Sequence, residues 1–285
     1  MQEDVDKKLI TNNMNTKLIK IKGDYYNQIN SSLKHLDFVI TYHMEASQNY
    51  NIVFIHGLAG SSDIWHNLMH QCYLQYNIYA LDLPWNGKKP IGYKSSYFLL
   101  KWLEDVLDSL KLLPNKTCII AHSFGATMVL SSFLKFDLKA YKLILCAPTW
   151  KNADGSHIDW IEYKEFINNF EKSLYEFIRL NHKGINDEIV DVMVDKVLQE
   201  SSPRHTLSFI DCLFNIPDIP TTFGEKILTL IIYGGKDEVV STKHSNYLQK
   251  MIANSKLVKF PHSGHYIMLD NVDEFNDTII NFLKK

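Results

Sequence analysis

A serine at the junction of an apolar segment and a small-residue segment is the first candidate for chemistry. Ser123 follows the run Thr-Cys-Ile-Ile-Ala-His, typical of a buried strand, and precedes Phe-Gly-Ala, which suits a helix start. The small residues Ala121 and Gly125 allow the sharp turn that exposes a nucleophilic hydroxyl. The backbone N–H of Phe124 would then point from a helix N-terminus toward developing negative charge. The Ser-x-Gly pattern alone is weak, and its position favours a nucleophile over a helix cap.

A turn rich in small residues follows a second apolar run. Residues 52–55 lead into His56 and Gly57, and further Gly and Ser residues follow. Flexible backbone at the C-terminal end of a strand suits an N–H that binds an oxyanion, and we nominate the N–H of Leu58. An ordinary strand-to-helix turn explains the same residues when they are taken alone.

Two further segments supply an acid and a base. Asp237 lies just past the end of the apolar run 230–233, where ligand sites of α/β proteins gather. His265 follows Gly264 and precedes an apolar run, so it can loop back over the sheet edge. His262 directly follows a proline and is the weaker candidate for the base. Taken singly, each histidine is more often structural than catalytic.

Other ionisable residues compete for these roles. Glu238 is adjacent to Asp237 but starts the next turn, and Asp82 follows a strand in the context of a structural loop. His56 and His122 flank the same region, where we expect them to orient backbone rather than carry protons. Asp237 and His265 are therefore the preferred acid and base.

Short apolar runs alternate with helical patterns along most of the chain. The strand-like runs are 16–21, 38–42, 51–55, 78–83, 117–121, 142–147, 228–233 and 256–260. The helical patterns are 93–112, 124–136, 243–252 and 272–283. Several runs are nearly continuous in Val, Ile and Leu, which suits strands covered on both faces. This alternation predicts an α/β fold with a mostly parallel central sheet flanked by helices.

The alternation lapses in the segment 150–223. This segment has amphipathic patterns at 158–180 and 185–198 and no strand-like run. About seventy residues are too many for a loop and too few for a domain with its own stable hydrophobic core, so we expect a helical insertion. The predicted organisation is a loose polar tail at 1–15, a core at 16–149 and 224–285, and the insertion at 150–223.

Composition and charge exclude several classes of protein. The chain has 285 residues, of which 46% are hydrophobic and 22% charged, as in globular proteins rather than disordered, collagen-like or coiled-coil chains. A formal net charge of −2 provides no excess of positive charge to bind phosphate groups, which argues against nucleic-acid binding. No apolar run approaches the roughly 20 residues that a membrane span needs. The N-terminal residues lack the order of a secretory signal.

The four cysteines give a prediction about the cellular compartment. Cys72, Cys118, Cys146 and Cys212 show no CxxC or zinc-type spacing. Cys118 and Cys146 lie inside apolar runs and are expected to be small buried hydrophobes. A reduced, cytoplasmic compartment is the simplest interpretation.

Taken together, these segments resemble the α/β-hydrolase fold superfamily. Ser123, Asp237 and His265 each follow a separate predicted strand, in the order nucleophile, acid and base that is used there. The His-Gly turn, the serine elbow, the acid and the base all occur in order, and the resemblance covers nearly all of residues 36–283. It implies the fold predicted above.

The sequence departs from the superfamily's pattern in two places. Ala121 stands where glycine is usual, and alanine is small enough that we expect no loss of activity. In the loop after Asp82, Trp85 and Asn86 stand where Gly and His are common. Because that loop borders the pocket, the resemblance does not carry a particular substrate with it.

The resemblance implies a mechanism. His265 would take the proton from Ser123, and Asp237 would hold the imidazole tautomer and stabilise the imidazolium. The N–H groups of Leu58 and Phe124 would receive the oxyanion, each contributing roughly 3–4 kcal/mol. Water, or a bound alcohol or amine, would then take the acyl group. This mechanism requires no metal and no organic cofactor.

The resemblance also implies a pocket beneath a lid. The insertion at 150–223 is similar to the helical lid that the superfamily places between the sixth strand and the acid-bearing strand. Its many aromatic residues suit either an apolar roof over the substrate or packing between helices, and helical periodicity favours packing for most of them. The residues expected to line the pocket are His56, Gly57, His122, Trp85 and Trp150.

The predicted function is hydrolysis of a small carboxylic ester or a related acyl compound. Thioester hydrolysis or acyl transfer on a carrier, C–C bond hydrolysis and a non-catalytic binding module are the alternatives. An intact Ser-Asp-His set argues against binding alone, since a pure binder has no need of all three. The expected partner is a small-molecule acyl substrate, free or carrier-bound, and no oligomeric state is predicted.

Overall fold

The structure is a computed structural model that describes most of the chain. The described residues are 15–20, 37–43, 50–83, 95–151, 154–156, 159–200, 203–225 and 227–285. Trp85 and Asn86 lie outside them, as do residues 1–14 of the predicted tail.

Within the described residues, eight strands form one sheet in the order β1-β2-β4-β3-β5-β6-β7-β8. The strands are β1 (Asn15–Lys20), β2 (Asp37–His43), β3 (Asn51–Ile55), β4 (Asn77–Asp82), β5 (Thr117–His122), β6 (Lys142–Cys146), β7 (Leu228–Gly234) and β8 (Ser255–Phe260). β3 to β8 pair in parallel, while β1 and β2 are added antiparallel at one edge. The predicted mostly parallel α/β sheet is confirmed.

β1 begins one residue earlier than the sequence indicates. Asn15 pairs with Tyr42 at the end of an antiparallel ladder between β1 and β2. Asn15 is the only residue of the predicted tail 1–15 that lies within the described residues.

Helices cover both faces of the sheet. They are α1 (His66–Cys72), α2 (Ser96–Ser109), α3 (Phe124–Phe136), α4 (Trp160–Asn181), α5 (Asp187–Glu200), α6 (Pro203–Phe214), α7 (Thr242–Met251), α8 (Ile267–Asp270) and α9 (Val272–Leu283). Short 3-10 turns precede α1 and β5. Because side chains alternate along a strand, Val53 and Ile55 belong to the apolar cluster that includes residues of α2, α3 and α7, whereas Ile52 and Phe54 belong to the cluster that includes residues of α1 and α9.

Helix α2 is shorter than its apolar pattern suggests. The pattern extends over 93–112, but the helix begins at Ser96, and the Ser95 hydroxyl accepts a hydrogen bond from the N–H of Phe98 at 3.4 Å. At the other end, Lys111 adopts a positive φ of 51°, which ends the helix. Capping geometry, not the apolar stripe, therefore sets both ends.

The segment between β6 and β7 folds as the three helices α4, α5 and α6. A capping box starts α4: the Asp159 carboxylate accepts the N–H of Glu162, whose side chain accepts the N–H of Asp159. Leu174 and Ile178 of α4 pack against Val190 and other apolar residues of α5. These helices match the two amphipathic patterns at 158–180 and 185–198, and α6 adds a third helix.

Candidate active site

The structure brings the predicted nucleophile, base and acid into one hydrogen-bonded row. The Oγ atom of Ser123 lies 3.0 Å from Nε2 of His265, and Nδ1 of His265 lies 2.8 Å from Oδ2 of Asp237. These residues come from the C-terminal ends of β5, β7 and β8. All three side chains are buried, with Ser123 only 6% exposed. The row is the geometry in which a hydroxyl can pass its proton to an oriented imidazole.

The backbone at Ser123 is a sharp strand-to-helix turn. Ser123 has φ 52° and ψ −123°, a conformation that non-glycine residues rarely adopt. It sits between β5 and α3 and holds its hydroxyl above the sheet. At Gly125 a Cβ atom would overlap with the carbonyl oxygen of His56, so only glycine permits this approach of α3 to the end of β3.

The loop after β7 fixes the acid. The Oδ1 atom of Asp237 accepts the N–H groups of Val239 and Val240 at 2.9 and 2.8 Å, which leaves Oδ2 for His265. The competing Glu238 points outward and lies 3.7 Å from Lys172. Of the two adjacent carboxylates, only Asp237 reaches the histidine.

The loop of the acid and the loop of the base are tied to each other. The N–H of Gly235 donates to Phe260 O at 2.7 Å, and the N–H of Lys236 donates to Ser263 O at 2.9 Å. A Cβ atom at Gly234 would overlap with the Gly264 carbonyl, so the two loops approach as closely as bare backbone permits. This contact sets the distance between Asp237 and His265 through the backbone.

The environment of His265 raises its pKa from the ordinary value. Burial by itself disfavours the imidazolium, but the charge of Asp237, its hydrogen bond and the charge of Glu176 together outweigh that effect. The imidazole is therefore a stronger base than a free histidine, which suits a group that takes a proton from a hydroxyl.

His56 joins the ends of two strands. Its Nδ1 donates to Gly57 O at 2.7 Å, and its Nε2 accepts the N–H of Leu83 at 2.9 Å, so both ring nitrogens are used by backbone. Complete burial lowers its pKa to about 4, and the ring is neutral. Nearby, the Asp82 carboxylate accepts the N–H of Ser62 at 2.7 Å, which is a structural contact of this loop.

His122 supports the backbone of the base. Its Nε2 donates to the carbonyl oxygen of His265 at 3.0 Å, and the two rings lie 4.7 Å apart. Burial, and then the nearby charge of His265, hold the pKa of His122 well below its usual range. A neutral His122 holds the loop of His265 without adding a second positive charge.

The turn that carries Leu58 lies against the serine. A Cβ atom at Gly57 would be 3.0 Å from Cβ of Ser123, and the N–H of Gly60 closes the turn on Gly57 O at 3.3 Å. Ala59 has a positive φ of 52°. Leu58 in this turn and Phe124 at the start of α3 thus come from the two segments that flank the hydroxyl, and their oxyanion role stays a prediction.

Aromatic side chains from the inserted helices cover the serine elbow. The ring of Phe209 on α6 lies 4.8 Å from that of Phe124 in an edge-to-face arrangement, and 4.7 Å from Phe166 on α4. Trp150 is completely buried in the same core, whereas Trp160 at the start of α4 is 65% exposed. Some aromatic residues of this segment therefore pack in the core, whereas Trp160 lies at the surface.

A cavity of about 310 Å³ opens beside the acid, between α4, the loop after β7 and α7. Its walls are formed by Thr149, Glu162, Glu165, Phe166, Asn169, Leu213, Asp237, Glu238, Val239, Ser241, Lys243 and His244. His56, Gly57, His122 and Trp150 are absent from these walls, and Trp85 lies outside the described residues. A pocket-lining role for those five residues stays a prediction.

Sequence reasoning missed one group at this site. The carboxylate of Glu176 on α4 accepts the N–H of His265 at 3.3 Å and that of Tyr266 at 3.4 Å. Nothing in the local sequence marks Glu176, because it is one of several charged residues on an amphipathic helix. The contact joins residues 89 positions apart.

Comparison with known proteins assigns the family. The sequence model described as alpha/beta hydrolase fold matches residues 50–272, which is most of the chain. The chain therefore belongs to the α/β-hydrolase family. Among the described residues, no helix is both long and apolar enough to cross a membrane.

Individual relatives are distant and extend over nearly the whole chain. A 2-hydroxy-6-oxononadienedioate/2-hydroxy-6-oxononatrienedioate hydrolase of Pseudomonas putida is 25% identical. The aligned region covers 87% of this chain and 93% of that protein. A pimeloyl-(acyl-carrier protein) methyl ester esterase of Wigglesworthia glossinidia brevipalpis is 28% identical, and the aligned region covers 84% of this chain and 95% of that protein. The solved structure of an esterase from Exiguobacterium antarcticum has a TM-score of 0.67 at 19% identity. The superposed region covers 93% of this chain and 99% of that chain. These names confirm the predicted enzyme class.

Proposed function

We propose that this protein is a serine hydrolase that cleaves a carboxylic ester of a small acyl compound through Ser123, His265 and Asp237. One observation carries the proposal: the buried row in which Ser123 Oγ lies 3.0 Å from His265 Nε2 and His265 Nδ1 lies 2.8 Å from Asp237 Oδ2. The raised pKa of His265 supports its role as the base.

The first half of the reaction forms an acyl-enzyme. The Oγ atom of Ser123 attacks the carbonyl carbon of the ester while its proton passes to Nε2 of His265. Asp237 stabilises the resulting imidazolium through Nδ1–H. The tetrahedral intermediate then collapses: the bond to the leaving oxygen breaks, and the alcohol departs with the proton from Nε2.

Water completes the reaction. It attacks the acyl-enzyme while His265 takes its proton, and the acid departs as Ser123 recovers that proton. In both halves the negative oxygen is received by the N–H groups of Leu58 and Phe124, at roughly 3–4 kcal/mol per donor. The support for these donors is the closeness of the Gly57 turn to Ser123 and the place of Phe124 at a helix start.

The helices α4, α5 and α6 serve as a lid over this site in the proposed organisation, with 150–223 as the inserted unit. Support comes from the contact of Phe209 with Phe124, directly after the nucleophile, and from the packing of Phe166 against Phe209. Since Ser123 is only 6% exposed, a substrate reaches the hydroxyl when these helices move or their side chains rearrange.

A carrier-bound acyl ester is the second candidate substrate. Two of the relatives are named pimeloyl-(acyl-carrier protein) methyl ester esterases, one 28% and one 21% identical to this chain. The same row of residues would cleave an ester or a thioester at the end of a carrier arm. A 2-hydroxy-6-oxo-dienoate is a third candidate, since relatives at 25% and 22% identity are named hydrolases of such compounds.

A cytoplasmic location belongs to the same proposal. All four cysteines are free and buried, and burial raises the pKa of the Cys72 thiol to about 12. Buried thiols of this kind act as small apolar side chains, as in proteins of a reducing compartment.

The experiment is labelling of the purified protein with a fluorophosphonate probe. We expect labelling of the wild type and none of Ser123→Ala, because only an activated hydroxyl attacks the phosphorus. The matched control is Ser109→Ala, which removes a serine hydroxyl from α2 and should label like the wild type. Labelling that survives in Ser123→Ala, or is absent from the wild type, contradicts the proposal.

A substrate panel then separates the candidates. Short carboxylic esters, a methyl ester on an acyl-carrier protein, the matching carrier thioester and a 2-hydroxy-6-oxo-dienoate are compared by kcat/KM. We expect the esters to be turned over fastest. A preference for the carrier thioester or the dienoate would reassign the substrate while leaving the triad in place.

A further inference from the structure

A carboxylate from the inserted helices reaches the loop of the base. Glu176 of α4 accepts the N–H groups of His265 and Tyr266 at 3.3 and 3.4 Å, at the long end of the hydrogen-bond range. The two backbone groups belong to a loop, where no ladder or helix supplies an acceptor. Glu176 therefore satisfies two donors next to the imidazole from outside the sheet domain.

The loop is shaped to admit this side chain. A Cβ atom at Gly264 would overlap with Oε1 of Glu176, so the carboxylate occupies this position only next to glycine and would have to shift if the residue carried a Cβ. Around the same point, the ring of Phe177 lies 5.1 Å from Tyr266. One face of α4 is thus fitted to the residues that flank the base.

The contact is charged as well as geometric. Burial raises the pKa of Glu176 from its ordinary value, against the opposing effects of the His265 charge and the two N–H groups. The charge of Glu176 in turn favours the imidazolium of His265. A partly buried carboxylate is costly, and here it is placed where the proposed mechanism creates positive charge.

We propose that Glu176 is a positioning residue that holds His265 in register with Ser123 and Asp237, and that it makes an ordered base depend on a closed lid. The inference rests on the proposed function of the triad and on α4 as part of the lid. When α4 moves away, the N–H groups of His265 and Tyr266 lose their acceptor, so an open lid loosens the base.

Several groups face His265 and contribute to its protonation. Asp237 approaches from the loop after β7, Glu176 from α4 and neutral His122 from β5. The neighbouring Tyr266 stays protonated because burial raises its pKa far above the ordinary value. Of these, only Asp237 and Glu176 bring negative charge, so removing Glu176 leaves one stabilising carboxylate.

The test measures the pKa of the His265 imidazole by NMR titration in a Ser123→Ala background, where no turnover is needed. We expect Glu176→Gln to lower that pKa by about one unit, the small end of the effect of a nearby opposite charge. The matched control is Glu171→Gln, an exposed carboxylate on the same helix that makes the same change in net charge. This control should leave the pKa of His265 at the value of its parent.

A second measurement follows the rate of fluorophosphonate labelling across pH in proteins that retain Ser123. In Glu176→Gln the pH at which the labelling rate begins to fall on the acid side should shift lower, together with the pKa of His265. The highest labelling rate, reached above that pKa, should fall about tenfold, since small displacements of a catalytic group are costly. Gly264→Ala, which pushes the carboxylate away without changing charge, should also lower this highest rate. It serves as the second variant if Glu176→Gln does not fold.

Equal His265 pKa values in Glu176→Gln and its parent, or an equal shift in Glu171→Gln, overturn the proposal. The two proposals fail differently. If the wild type takes no label while the NMR shift is present, the proposed hydrolase function is wrong and the hold of Glu176 on His265 stands. If labelling is normal and the shift is absent, the hydrolase function stands and Glu176 is a surface contact only.

Discussion

At the scale of single residues, each group of the site is fixed by a second, less conspicuous one. Asp237 uses one oxygen for backbone N–H groups and offers the other to His265. His122 holds the carbonyl of His265, and Glu176 holds its N–H. The base is thus restrained on its ring and on both sides of its backbone, which limits the rotations that would misplace Nε2.

The raised pKa of His265 predicts the pH dependence of the first chemical step. The base must be neutral, so labelling by fluorophosphonate should increase as pH rises through a pKa above the ordinary 6.5. Below that pKa the rate should fall about tenfold per pH unit, as the neutral fraction does. A rate that is already maximal at pH 6 would contradict the raised value.

The close approach of Gly125 to His56 predicts a stability effect. In Gly125→Ala the added methyl group overlaps with the His56 carbonyl, which is backbone and cannot swing aside. We expect a loss of about 1–3 kcal/mol in the free energy of unfolding, together with slower labelling, because the elbow itself shifts. Unchanged urea unfolding would mean that α3 and the end of β3 separate easily.

At the scale of elements, the inserted helices are joined to the sheet domain by aromatic packing. Phe209 of α6 contacts Phe124 of α3 and Phe166 of α4, so three helices meet at one ring. Leu174 and Ile178 join α4 to α5 in a small cluster of their own. The inserted helices α4, α5 and α6 have little core of their own and depend on these contacts for their position.

Phe209→Ala should therefore loosen the packing of the inserted helices on the sheet domain. Phe209 is completely buried, and deletion of such a ring costs about 3–5 kcal/mol. Phe214→Ala on the same helix is the matched control: that ring is 46% exposed, and its removal should cost less than about 1 kcal/mol. Urea unfolding of both variants measures the difference, and equal losses would contradict the joining role of Phe209.

At the scale of the whole molecule, the sheet separates the end that holds the candidate site from an end that anchors a helix. Ser123, Asp237 and His265 all follow the C-terminal ends of parallel strands. At the opposite end, the buried ammonium of Lys142 donates to the carbonyl oxygens of Phe282 and Leu283 at 3.1 and 2.7 Å, at the C-terminus of α9. Lys142 is in register with Cys118, so it lies five strand residues, roughly 17 Å along the strand direction, from Ser123.

This separation predicts that Lys142→Met changes stability and not reactivity. Loss of the ammonium leaves two carbonyl groups of α9 without their donor, at a cost of about 1–3 kcal/mol. The labelling rate at Ser123 should equal that of the wild type. Lys139→Met is the control, since Lys139 is largely exposed and its loss should leave urea unfolding unchanged. A large loss of labelling in folded Lys142→Met would show that the two ends are coupled.

Local patterns in the sequence are enough to predict the strands of the parallel sheet and the three candidate residues that follow them. Continuous Val, Ile and Leu in β5 and β6 mark strands covered on both faces, and a strand's C-terminal residues must lie at one edge of a parallel sheet. The types and positions of Ser123, Asp237 and His265 follow from such local patterns, because apolar periodicity and turn chemistry act over a few residues.

Which of these residues meet, and which groups hold them in place, depends on the packing of distant elements. The order of strands places β5 between β3 and β6, and the bare backbone at Gly234 and Gly264 sets the spacing of two loops. Glu176 has no local signal at all, since its partner His265 lies 89 residues away. Contacts of that kind depend on how packed elements face one another, which a pattern of neighbouring residues does not encode.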